Sequence, residues 1–170
     1  GAQSLAIGND ITTDGDQTVS LGNQSEAMGS QSVSIGNESG STGTMSISIG
    51  NESLASGNRT VAIGNDLGAS GAEAIAIGDQ AAGSSDQAVG IGNEAIASGL
   101  QTIAFGNQAK ASAGQGIAIG NDTQASGLKT VALGNVASAE GVNSIALGNK
   151  TVATGDYSVA MGNEIGAVGD

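Results

Sequence analysis

The sequence predicts an all-β protein, a parallel β-solenoid of about 12 coils with 14 residues in each. Three observations carry this. Twelve glycines recur at an unbroken spacing of fourteen, from Gly8 and Gly22 through to Gly162. Before each stands a large-small-large triplet such as Val61-Ala62-Ile63, the period-2 alternation of a strand whose two faces meet different surroundings. The composition also excludes an ordinary globular core. With 30 Gly, one Phe, one Tyr and no Trp or Pro, the 38 % apolar content falls mainly on Ala, Val and Ile, without the aromatic area that usually dominates a core.

Each element follows from the repeat. Asn follows the first glycine in eleven of the twelve copies, Asp79 being the exception. A second glycine falls seven residues on in ten copies, with Ser85 and Ala113 breaking that column. The coil is therefore two half-turns, each a short strand ending in a bend. Gly and Asn at the bends are the residues that most readily take positive φ. In the second half-turn, the positions three and five after the first glycine are mostly small, as in Ser53 and Ala55 or Ala95 and Ala97. The position between them varies freely: Glu26, Leu54, Ile96, Lys110, Gln124. Variation marks the outside of a narrow tube and uniform smallness its inside. A 14-residue coil cannot close on itself, but coils stacked at about 4.8 Å pair every strand with its copy in the next coil.

For the first half-turn the expectation runs the other way. The large residues, represented by Val61, Ile63, Ile75, Ile77, Ile117 and Ile119, are expected to fill the roll core. The middle column is Ala6, Ser20, Ser34, Ser48, Ala62, Ala76, Gly90, Ala104, Ala118, Ala132, Ala146 and Ala160. It never exceeds alanine or serine in size, and close approach of another backbone is the expected reason. Fixing a backbone costs about 1–2 kcal/mol per residue, so a tube this thin calls for a second buried surface. Side-by-side assembly through the small column, most simply a closed cyclic oligomer, supplies one.

Sixteen acids against four bases give a net charge of −12, which repels nucleic acid and anionic lipid. The absence of Cys removes disulfides and thiolate metal sites. No apolar run reaches the roughly 18–20 residues of a membrane-spanning helix, so no direct membrane insertion by this segment is expected. Residues 1–20 carry neither the basic nor the apolar region of a signal peptide. The chain is thus expected to be cytosolic or an excised piece of something larger.

Candidate chemistry is sparse. Without His or Cys, and with serines absorbed into structural columns, no enzyme and no cofactor is expected; the carboxylate pair Asp14 and Asp16 has no groove to serve. Glycine-rich fragments such as Gly114-Gln115-Gly116 precede no helix and carry no P-loop lysine. The position after Gly-Asn is acidic in seven coils, Asp10, Glu38, Glu52, Asp66, Glu94, Asp122 and Glu164. A stacked acidic stripe could draw a basic partner or Ca²⁺, but a solvated edge that keeps a Gly-rich β-protein soluble is the simpler reading. The Asn column is expected to be a corner device whose amides bond along the stack. Leu54, Ile96, Leu100, Leu128, Val142, Val152, Ile165 and Val168 are expected to face outward, where a contiguous patch would mark a contact site.

The unit SIALGNKTVATGD at 144–156, like TVAIGNDLGASGA at 60–72, resembles the head repeat of YadA-like trimeric autotransporter adhesins, and the likeness runs along essentially all of residues 1–170 as a single head domain. The resemblance implies a left-handed parallel β-roll in a homotrimer. It also implies display at a Gram-negative outer membrane or cell surface and non-enzymatic binding of extracellular-matrix or host-surface molecules. It places Val61 and Ile63 with their equivalents in the roll core and Ala62 with its equivalents at the trimer contact. The leading Asn-Ser pair of the family is intact only at Asn143-Ser144. Stalk, neck and membrane anchor are not seen in the 170 residues, which reads as an excised head. Two alternatives remain: a trimeric phage fibre or spike segment with the same roll, and an ice-binding solenoid, which requires a regular Thr ladder where Thr12, Glu26, Gly40, Leu54 and Gly68 stand.

Overall fold

The computed structural model describes residues 1–169 and forms a parallel β-solenoid of twelve coils. Each coil contributes one strand to each of two twelve-stranded parallel sheets. The first sheet is built from strands such as Val61–Asn65 and the second from two-residue strands such as Gly68–Ala69. Register is a shift of one repeat throughout: Val61 pairs with Ile75, Ala62 with Ala76 and Ile63 with Ile77, while Gly68 pairs with Ala82.

Two kinds of corner close each coil. At the first, the glycine takes φ between 131° and 144° (Gly64, 144°), and a Cβ there would overlap the carbonyl oxygen of the glycine one coil on. Positive φ then falls on the residue after Asn, not on Asn: Asp10, Glu38, Asp66 and their equivalents lie at 51–57°. At the second corner it falls on Gln3, Gln17, Arg59, Lys129, Asn143 and the rest of that column, at 56–60°. Here the next residue turns inward and in several coils its hydroxyl ties the bend, as Thr60 Oγ1 does by donating to the Gly57 carbonyl at 2.8 Å and Thr130 Oγ1 to Gly127 at 2.8 Å, whereas Ala74, Ala88 and Gly116 carry no hydroxyl and those of Ser32, Ser144 and Ser158 have no partner.

The interior reverses the expectation for the first strand. Ser20, Ser34, Ser48, Ala62, Ala76, Gly90, Ala104, Ala118, Ala132, Ala146 and Ala160 are buried inside the roll of a single chain. Ala6 is exposed, because coil 1 has a neighbour on one side only. Val61, Ile63, Ile75, Ile77, Ile117 and Ile119 are half-buried and point outward. The small column is therefore the core of the roll, and the large residues assigned to that core lie on its surface. The cause is width: the small column faces the equally small second strand across a lumen that admits little beyond Ser, Ala and Thr. A side chain already enclosed by its own coil cannot meet another chain.

Opposed interior positions match in polarity. In coils 2 to 4 serine faces serine, with hydroxyl oxygens 2.7 Å apart for Ser20 and Ser25, 2.8 Å for Ser34 and Ser39, and 2.7 Å for Ser48 and Ser53. In the next two coils Ala62 and Ala76 face Leu67 and Ala81 instead. Thr123 and Thr151, each opposite an alanine, keep a buried hydroxyl without a partner. Since a stranded hydroxyl costs about 1–3 kcal/mol, the paired serines are a consistent solution and the lone threonines a tolerated exception.

Candidate interaction surfaces

With the small residues inside, the outer face of the first sheet carries two unbroken rows of large apolar side chains. One runs from Leu5 and Val19 to Val159, the other from Ile7 and Leu21 to Met161, with Phe105 the single aromatic in it. Exposure is 37 % at Ile103, 51 % at Phe105 and 41 % at Leu133. Monomeric proteins rarely leave so long a contiguous apolar surface in water. Any second buried surface that the thin roll calls for is thus offered by the large-residue rows and not by the column chosen from sequence.

The Asn column stands at the edge of this face and works along the stack. Asn23 Nδ2 donates to Asn37 Oδ1 at 2.9 Å, Asn37 to Asn51 at 3.0 Å and Asn51 to Asn65 at 3.1 Å. Asp79 can only accept, and does so from Asn65 at 2.8 Å and from Asn93 at 3.4 Å, so the direction of donation reverses there. A parallel glutamine ladder at the other corner joins Gln31 to Gln17 at 3.0 Å and Gln115 to Gln101 at 3.1 Å.

The acidic column is interleaved with donors. Gln80 Nε2 donates to Asp66 at 3.1 Å, Gln108 to Glu94 at 3.0 Å and Lys150 to Glu164 at 3.2 Å. Only Glu38, Glu52 and Asp66 follow one another without a break. Beside them an open notch of about 540 Å³ is lined by Glu26, Glu38 and Glu52 together with Ser39, Gly40 and Leu54. Among the described residues no three His, Cys, Asp or Glu side chains are grouped to hold a metal ion. Of the apolar residues expected to face outward, Leu54, Ile96, Leu100, Leu128, Val142, Ile165 and Val168 are exposed and Val152 is half-buried. Ile165 belongs to an interior column and is exposed because it lies in the last coil.

Stacked similar rungs, corners closed by amide ladders and one long apolar face define a repetitive structural module. The YadA head domain repeat matches residues 14–39, 41–66, 84–109, 97–123, 111–137 and 139–164. These segments span most of the chain, and the chain belongs to the YadA head family. No curated protein matches the chain significantly.

Proposed function

We propose that this chain is the head of a trimeric cell-surface adhesin, exported as a passenger domain, attaching to extracellular-matrix or host-surface molecules and holding them away from the cell without catalysing a reaction. Its family supports the adhesin-like role. The observation that carries the assembly is the pair of large apolar rows, sustained over all twelve coils on one face of an otherwise polar, acidic chain. Three chains packed face to face around an axis would cover those rows and leave the second sheets outward. A closed ring of identical contacts also fits the repeat, because each coil meets the same coil of its neighbours. Attachment through such a rod is multivalent: many weak, equivalent contacts add up as length and copy number increase.

Beads bearing the chain at graded densities, flowed over a surface coated with solubilised extracellular matrix, test the attachment. Retention is expected to rise more steeply than in proportion to density. Beads that wash through at every density would refute it.

A further inference from the structure

Two departures from the repeat fall in one stretch of the solenoid, on opposite edges of the first sheet. The residue after the corner Asn or Asp is held at positive φ in every coil and is polar or charged in all but one. In coil 10 it is Val136, at φ 53° and 40 % exposed. A β-branched side chain is crowded in that conformation, and in the single chain no burial offsets the cost.

The second departure is at the other corner. There an Asp or Asn accepts the backbone N–H of the residue one coil earlier: Asp16 from Ala2 at 2.7 Å, Asn58 from Thr44 at 3.0 Å, Asp86 from Ala72 at 2.8 Å and Asp156 from Val142 at 2.8 Å. Between Asp86 and Asp156 the column is instead Leu100, Gly114, Leu128 and Val142, which have no side-chain acceptor to offer. Leu100 is 54 % exposed and Leu128 46 %, and Val142 is exposed with them. Coils 8 to 11 thus trade a capped corner for uncovered apolar side chains, at the edge of the apolar rows.

These two edges meet when copies of the chain close a ring. A rotation axis carries one long edge of the first sheet onto the opposite edge of the next copy at unchanged height, so each coil faces the same coil. Charge agrees with that level. Arg59, which donates to Glu73 within the chain, then faces Asp66 of the neighbour, and Glu73, the one acid of its column, faces Gln80. A slip of one coil either way would set Glu73 against an acid, Asp66 or Glu94, and like charges across an interface disfavour the wrong register. In coil 10 the same level sets Leu128 against Val136.

We propose that the second corner is a docking edge for a second copy of this chain, which it takes by that copy's first corner, coil for coil, with Leu128 covering the neighbour's Val136 and Arg59 facing its Asp66. The lost caps and the crowded valine are then offset where they occur, by apolar contact that only a neighbour supplies. The inference rests on the trimer proposed above and names the residues that join one chain to the next.

Paired cysteines test it, since the chain has none of its own. Leu128 and Val136 flank the strand Val131–Asn135. Such a strand spans roughly 17 Å, and a disulfide needs Cα atoms within about 7 Å, so Leu128→Cys with Val136→Cys can bridge only between chains. Under mild oxidation this variant should run on a non-reducing denaturing gel as a ladder ending at three chain masses, and Arg59→Cys with Asp66→Cys should do the same. Val136→Asn removes the crowding and the contact together. It should lower the thermal transition of the particle, whereas on an uncovered edge it would raise it, because Asn tolerates positive φ. A raised transition, or faster bridging by Val142→Cys than by Leu128→Cys when each is paired with Val136→Cys, would overturn the pairing. Three chain masses by light scattering without either bridge would overturn this inference and leave the trimer standing. A wild-type chain of single mass would overturn both.

Discussion

Replacing Ile63, Ile77 and Ile119 together with aspartate is expected to turn a particle of three chain masses into folded monomers. These side chains point outward from the first sheet and are only half-buried in the single chain, so charge there leaves the interior rows untouched. In the proposed trimer each aspartate would be buried against apolar neighbours of two other chains. Leaving a charge unpaired in that setting costs about 3–5 kcal/mol, and three per chain are repeated around the ring. Light scattering after gel filtration reports the mass and far-UV circular dichroism reports the strands. Loss of assembly with strand signal retained is the expected pair. An assembled variant would mean that the large rows are not the contact.

The opposite substitution has the opposite consequence. Ala62, Ala76 and Ala104 changed to leucine are expected to prevent folding, not to release monomers. All three are fully enclosed by their own coils, with no measurable exposure. Overpacking costs about 1–3 kcal/mol per site, and here two of the sites lie on paired rungs, Ala62 beside Ala76, so that neither can relax into the other's space. Leu67 shows how narrow the tolerance is: the buried leucine lies so close to Gly64 that a Cβ there would overlap its side chain. The strand signal should be lost, or its thermal transition should fall far below that of the parent. A well-folded monomeric variant would instead return the small column to the chain-chain contact.

Most of the fold was legible because the repeat states it twelve times. The spacing from Gly8 to Gly162 gave the coil, the glycine seven residues later gave the second corner, and the alternation of Ser53, Leu54 and Ala55 gave the faces of the second strand. The same reasoning applied to the first strand would have placed Ala62 inside, since uniform smallness is what a narrow lumen imposes. The expectation that large apolar side chains form the core prevailed there, and it fails because the lumen is too narrow for them. In Val61-Ala62-Ile63 the large residues lie on the outer face of the sheet. The corners were less legible. Positive φ at Glu38 or Gln17 is not signalled by residue type, because these side chains gain nothing from that conformation; the stacking of neighbouring coils imposes it.

The central claim is that the outward Val and Ile rows are covered by two further copies of the chain. The mass of the wild-type chain in solution, measured by light scattering across a dilution series, tests it most directly. The account predicts a particle of three times the 16.1 kDa chain that persists on dilution. A particle of a single chain mass with its full strand signal would contradict it, because the two apolar rows would then stand uncovered in water.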